Sequence, residues 1–223
     1  HKFSLEDTYK NLSDKIDRLR IDTISLDVFD TVLIRKDDKE KERFRLVSEK
    51  MSQLLSIEPE NIYRARLFSH RAAYSIKKDG FLEPSIDEIF RIMCLMLRVD
   101  TKIVEKLIKI ELEFEKEALF PNKHLIEFIK NSGLKFIFVS DMYLRGKEIF
   151  ALLKHFKIPS NPKDIYVSSD LKLSKRHKDL FKKISENYKP NKTIHIGDNY
   201  ISDIKNAEEF GFNTFYLRHT NVK

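Results

Sequence analysis

The 223-residue chain has a single cysteine, five glycines and six prolines. A lone thiol excludes any internal disulfide and agrees with a reducing, cytoplasmic setting. That residue, Cys94, sits in the apolar run IFRIMCLML, where it reads as a small hydrophobe inside a helix. No apolar stretch approaches the ~18–20 residues of a membrane span, and the N-terminal residues hold no apolar signal-peptide core, so no membrane role is expected. Repeats, low-complexity tracts and Pro- or Gly-rich linkers are missing too, which leaves one moderately large unit or a core with a smaller insertion. A stripe of one charge is also missing. The 42 basic residues, which leave a net charge of +7, are interleaved with 35 acidic ones. That distribution argues against a nucleic-acid partner and for a positive field that draws in small anionic metabolites.

Hydrophobic residues make up 41% of the chain, enough to bury a sizeable core. Strand patterns occur at Thr23 to Asp27, and then at Lys135 to Val139, Asp164 to Val167, Thr193 to Gly197 and Asn213 to Leu217, alternating with helical patterns. Such alternation predicts an α/β fold with a doubly wound parallel sheet. From about Asp37 to Leu119 strand signals vanish. Helical segments take over: EKERFRLVSEKMSQLL, PENIYRARLFSHRAAYSIK, SIDEIFRIMCLMLR and TKIVEKLIKIELEFEKEALF. This predicts an all-helical insertion, spliced in near Arg35 to Lys39 and Phe120 to Lys123. The first twenty residues carry an amphipathic stripe of Leu5, Tyr9, Leu12, Ile16 and Leu19 that packs most simply on the sheet, or offers a partner surface.

Four segments carry chemistry. TISLDVFDTVL runs a buried strand into Asp27 and Asp30, then Thr31; ligands of α/β sheets bind beyond such carboxyl strand ends. TIHIGDNYISDIKNA repeats the arrangement with Gly197, Asp198 and Asp203. Gly197 permits a sharp turn and close approach, and the two acids offer hard oxygen donors that suit Mg²⁺. KFIFVSDMYL ends a strand at Ser140 and Asp141, and SSDLKLSKRHKDLF brings Lys172 and Lys175 toward a helix.

This succession resembles the haloacid dehalogenase (HAD) superfamily, over about Thr23 to Leu217. In that family the first strand ends in Asp-x-Asp-x-Thr, the second in Ser or Thr, a Lys opens a later helix, and Gly-Asp with a further Asp closes a metal site. The resemblance implies a Rossmann-like catalytic core over residues 1–36 and 120–223 and a helical cap over 37–119. It makes Asp27 the nucleophile, Ser140 and Lys175 phosphate ligands, and Thr31 and Asp141 their neighbours in substrate binding. Mg²⁺ would be held by Asp27, the Phe29 backbone carbonyl, Asp198 and Asp203. Register favours Asp27 over Asp30, because Thr31 then falls four positions on, where the family has its Thr.

Phe29 occupies the slot where the family's phosphatases usually place a second Asp as general acid, a role typically worth about 10²- to 10⁴-fold. Asp30 or Asp141, a cap residue, or a leaving group that needs little help would have to compensate. Asp30 is the first choice, its other reading being a cap on its own loop backbone. Three functions follow: a Mg²⁺-dependent phosphatase of a small phosphorylated metabolite, a metal-independent dehalogenase, whose relatives carry an aromatic at this slot, or a binding domain without turnover. DVFDT followed by SDMYL resembles bacterial HAD proteins found with surface-polysaccharide (capsule) biosynthesis, which implies a sugar phosphate or amino-alcohol phosphate. On the expected cap helix from Pro59 to Lys77, Tyr63, Arg66, His70 and Tyr74 share a face that either meets the substrate or is the cap's own amphipathic surface with its aromatics partly buried.

Overall fold

The computed structural model describes residues 4–36, 39–76 and 83–218. Among these, seven strands form: β1 (Thr23–Leu26), β2 (Leu33–Arg35), β3 (Leu119–Pro121), β4 (Lys135–Ser140), β5 (Ile165–Val167), β6 (Thr193–Gly197) and β7 (Asn213–Tyr216). Five of them make one parallel sheet in the order β5-β4-β1-β6-β7. All four residues of β1 and all five of β6 are buried, as a strand covered on both faces requires. Each expected sheet strand appears within one residue of its sequence-based bounds. From β1 the chain moves to β4 and β5 on one side, and from β6 to β7 on the other. The reversal falls between β1 and β6, and their carboxyl ends open a crevice there.

The insertion consists of α2 (Glu40–Leu55), α3 (Pro59–Ile76), α4 (Ile86–Leu97) and α5 (Val104–Ala118). The end of the expected helix at Lys77 lies outside the described residues, as does the middle of the Arg35 to Lys39 connection. Each helix packs on the next and α2 returns to α5, closing a bundle around Phe44, Met51, Ile62, Phe90 and Cys94. The sequence pattern gave no sign of the antiparallel ribbon β2–β3, in which Leu33–Arg35 pair with Leu119–Pro121. The helical periodicity running to Phe120 stops at Ala118, because a residue ahead of proline is pushed out of the helical region, and Leu119 is already extended (φ −106°, ψ 159°). Consequently the insertion enters and leaves the core side by side, next to the loop that follows β1.

Helix α1 (Leu5–Leu19) starts at Ser4, whose hydroxyl accepts from the Asp7 N–H in a capping box, and buries Leu12 and Ile16. Lys15 ties it to the edge strand through the Thr214 carbonyl at 2.7 Å. Among the described residues no helix is long and apolar enough to cross a membrane.

Candidate active site

Beyond β1 the backbone stays in register for one more residue, with the Asp27 N–H donating to the Ile196 carbonyl at 2.9 Å. It then turns tightly: the N–H groups of Val32 and Leu33 both donate to the Val28 carbonyl, and Val28 and Val32 are fully buried. The turn aims the Asp27 side chain into a cavity of about 460 Å³. The Thr31 hydroxyl donates to Asp27 Oδ2 at 2.9 Å and the Lys175 ammonium to Oδ1 at 2.6 Å. From below, Asn122, the first cap of α6 (Lys123–Ser132), holds the loop by donating from Nδ2 to the Thr31 carbonyl at 3.0 Å.

Lys175 stands ahead of α7 (Asp179–Ser185), in a loop fixed from two sides. Asp141 accepts from the N–H groups of Lys175 (2.7 Å) and Arg176 (3.1 Å), while Asn206 Nδ2 donates to the carbonyls of both. Its ammonium bridges Asp27 and Asp203, 2.5 Å from the latter's Oδ1. Asp203 lies on a π-helical turn, Tyr200–Lys205, and its Oδ2 accepts from the Asn199 N–H at 3.0 Å. A Cβ on Gly197 would stand 2.3 Å from the Asp203 carboxyl carbon, so only glycine lets that carboxylate lie across the strand end.

Oxygens of Asp27, Asp198 and Asp203 come within 4.8 Å of one another. Three carboxylates converging over a glycine, with two of them buried, fit a hard divalent cation bound through oxygen. The electrostatics carry the strain of such a cluster. Burial pushes the Asp27 carboxyl up to about 8; Lys175 opposes the rise and Asp203 and Asp198 add to it. For Asp203 burial acts upward as well, yet Lys175 and His195 win and hold it below the usual carboxylate range. Burial works against the Lys175 ammonium, but Asp203 and Asp27 outweigh it and keep the charge on.

The structure thus brings together Asp27, Thr31, Ser140, Lys175, Asp198 and Asp203; Ser140, buried at the end of β4, lines the cavity with them, except for Thr31, which supports Asp27 from behind. Phe29 and Asp30 also line it, in different roles from one another. The Phe29 ring lies under the Arg35 guanidinium at 4.9 Å. Asp30 has φ 64°, and its Oδ1 accepts from the Arg35 N–H at 3.3 Å. A left-handed conformation suits glycine, and aspartate is among the few other residues that tolerate it.

The expectation for Arg66, His70 and Tyr74 needs correction: this face of α3 does not line the cavity. Arg66 is 1% exposed, forks onto Glu111 (3.3 and 3.1 Å) and lies 4.0 Å over the Phe44 ring; it is the ionic centre of the helical bundle, not a group presented to substrate. His70 Nδ1 accepts from Arg66 at 3.3 Å, and burial, then the Arg66 charge, press its pKa down to about 4. The Tyr74 ring meets His70 at a tilt of 41°, with centroids 4.9 Å apart. None of the three lines the Asp27 cavity.

Residues the motifs did not flag complete the site: His195, Asn199, Asn206 and Asn122. His195 left a trace, as a polar residue in the apolar strand TIHIG; Asn122 and Asn206 act on backbone groups distant in sequence, which no spacing announces, whereas Asn199 acts locally, its Oδ1 accepting from the Ile201 and Ser202 N–H groups.

A family profile described as haloacid dehalogenase-like hydrolase matches residues 68–217. The chain belongs to that family. No curated protein matches it by sequence. Solved HAD-type structures superpose on it: a HAD-hydrolase of Bacillus subtilis bound to magnesium (18% identity, TM-score 0.54, 88% of this chain and 86% of that one), and a HAD family enzyme of Bacteroides thetaiotaomicron in complex with magnesium and inorganic phosphate (15%, 0.56, 89% and 95%). A 2-haloacid dehalogenase of Pseudomonas syringae is similar to the same degree (14%, 0.59, 88% and 86%). At such identities the likeness establishes the HAD fold. It does not separate phosphatase from dehalogenase.

Proposed function

We propose that this HAD hydrolase is a Mg²⁺-dependent phosphatase of a small phosphorylated metabolite, working through an aspartyl phosphate on Asp27. One observation carries the reading: the Asp27 carboxylate is held by Thr31 and Lys175 while Asp198 and Asp203 converge on it within 4.8 Å. A dehalogenating aspartate has no need of two further carboxylates around it, whereas a cation-assisted phosphoryl acceptor does. The Bacteroides relative with bound magnesium and phosphate supports the same choice.

In this reading Thr31 and Lys175 fix the plane of the Asp27 carboxylate, which attacks phosphorus in line; the leaving oxygen departs, and water then cleaves the acyl phosphate. Lys175 and the Ser140 hydroxyl face the phosphoryl oxygens across the cavity and steady the charge that moves onto them. Asp27, the Phe29 carbonyl, Asp198 and Asp203 are the groups that would hold Mg²⁺, which would supply further charge neutralisation there. Residues 37–119 act as the cap over the core of residues 1–36 and 120–223. The preferred substrate is a sugar phosphate or amino-alcohol phosphate, on the resemblance to capsule-biosynthesis proteins.

Phosphate release from a panel of phosphomonoesters, with Mg²⁺ and with EDTA, tests the proposal, together with Asp27→Asn. Metal-dependent release lost in the variant is the expected result; release that survives Asp27→Asn would sink the nucleophile assignment. Phe29, an aromatic where phosphatases carry an acid, favours dehalogenation as the second reading, and halide release in EDTA would establish it.

A further inference from the structure

Behind the cavity floor, out of reach of any substrate, His195 is completely buried on β6. Its Nε2 is 3.2 Å from Asp203 Oδ1 and its Nδ1 is 2.7 Å from the Ser25 hydroxyl on β1, the residue paired with it in the sheet register. Ionised Asp203 only accepts hydrogen bonds, so the ring proton must be on Nε2. In the neutral ring Nδ1 is then bare, and the Ser25 hydroxyl donates to it. A single tautomer is thereby fixed by hydrogen bonds from two adjacent strands. The Phe181 ring meets the imidazole edge-on at 5.0 Å and closes its remaining side.

Asp203 needs such support for a physical reason. Its carboxylate rests over Gly197, where no side chain stops it from turning. The turn that carries it is π-helical, a looser winding often found at functional sites. Its position is instead set by hydrogen bonds: the Asn199 N–H on Oδ2, and His195 with Lys175 on Oδ1. Lys175 in turn is suspended between Asp203 and Asp27, so a rotation at Asp203 is passed on to the nucleophile.

We propose that Ser25 and His195 form a positioning pair: the chain of donors from Ser25 through His195 to Asp203 fixes the rotation of the Asp203 carboxylate, and with it the cation site and the place of Lys175 beside Asp27. The cation part rests on the Mg²⁺ reading above. Groups that orient metal-site ligands from behind typically matter about 10- to 100-fold in metal affinity or activity.

Mg²⁺ titration by calorimetry on the whole chain, with melting curves in EDTA as the control for folding, reads the pair directly. His195→Leu is expected to weaken Mg²⁺ binding about 10- to 100-fold and to lower kcat more than it raises KM. His195→Gln, whose amide can still donate near the Nε2 position, should retain most of the affinity. Ser25→Ala, which keeps the packing and frees the ring to change tautomer, should fall between them and serves if His195→Leu does not fold. Mg²⁺ affinity and kcat unchanged in Ser25→Ala, and in His195→Leu where it folds, whatever happens to melting, would assign His195 to core packing and overturn the proposal. Wild-type protein that binds Mg²⁺ but releases no phosphate would instead sink the phosphatase reading and leave this comparison of affinities intact.

Discussion

Arg66 and Glu111 form an ion pair inside the helical insertion, Nη2 to Oε1 3.1 Å, with both side chains 1% exposed. Tyr143, from the loop after β4, reaches in and donates to the same Glu111 Oε1 at 2.8 Å. The sheet side thus inserts one side chain into the ionic centre of the helical bundle. Removing one member of such a pair strands the other charge without solvent, which costs about 3–5 kcal/mol, whereas replacing both with apolar residues is close to neutral. Arg66→Met is therefore expected to lower stability by that amount in urea unfolding, and Arg66→Met with Glu111→Leu to recover most of it. An Arg66→Met protein of normal stability with altered substrate preference would return Arg66 to the role the sequence assigned it.

Gly197→Ala tests the ground beneath the acidic cluster. The added methyl meets the Asp203 carboxyl carbon at 2.3 Å, and because that carboxylate is bound to Lys175, His195 and Asn199 it has nowhere to withdraw. The variant is expected to lose at least about tenfold in Mg²⁺ affinity, by the sensitivity usual for disturbed ligand support. Mg²⁺ titration of the folded variant checks it; unchanged affinity would mean that Asp203 contributes nothing to the site.

The contrast between these two places shows what a sequence can convey. Asp27, Lys175, Asp198 and Asp203 were legible because strand ends, a turn glycine and charged residues in a fixed order are local signals. The sheet strands were legible for the same reason. The ribbon β2–β3 was not, since three residues on each side carry no periodicity. The α3 face of Arg66, His70 and Tyr74 was read correctly as one face, but its surroundings were not: Glu111 is 45 residues from Arg66 and Tyr143 belongs to the core. Asp30 was visible as a candidate acid or loop cap, and the conformation that decides between them, φ 64°, is visible only in the backbone.

The buried charges give the molecule a signed pH dependence. Burial, with Asp203 and Asp198 adding, raises Asp27 to about 8 despite Lys175, far above the ~3.9 of an unfolded aspartate. Its contribution to stability is complete below that unfolded value and is lost as the pH rises through 8. Asp203 runs the other way: Lys175 and His195 overcome burial to hold it low, so its contribution is present above about pH 4 and lost as the pH falls through its folded pKa. Metal-free protein should therefore lose thermal stability between about pH 4 and pH 8, the interval from the unfolded to the folded value of Asp27. Mg²⁺ binds the ionised carboxylate, so its stabilising effect should grow over the same interval. Scanning calorimetry in EDTA and in Mg²⁺ measures both; an increment independent of pH would mean that Asp27 is already ionised at the lower end.

The last expectation concerns the absent acid. Asp30 and Asp141, the two carboxyls closest to hand, are both engaged as acceptors of backbone N–H groups, Asp30 from Arg35 and Asp141 from Lys175 and Arg176. Each ties a loop in place, which is not the posture of a proton donor. Asp30→Asn preserves both the left-handed backbone and the acceptor, so it should change kcat little, while Asp30→Ala should cost about 1–2 kcal/mol of stability through the strained conformation. Without an acid the leaving oxygen must depart with its charge, and kcat should fall steeply along a series of phosphate esters as the leaving group becomes more basic. Phe29→Asp would place a carboxyl at the family's acid position, giving up the contact of the ring with the Arg35 guanidinium. Its effect should be small for phenyl-type esters and reach about 10²-fold for alkyl esters, flattening the slope. A wild-type series with no slope, or a kcat abolished by Asp30→Asn at unchanged stability, would instead identify Asp30 as the acid.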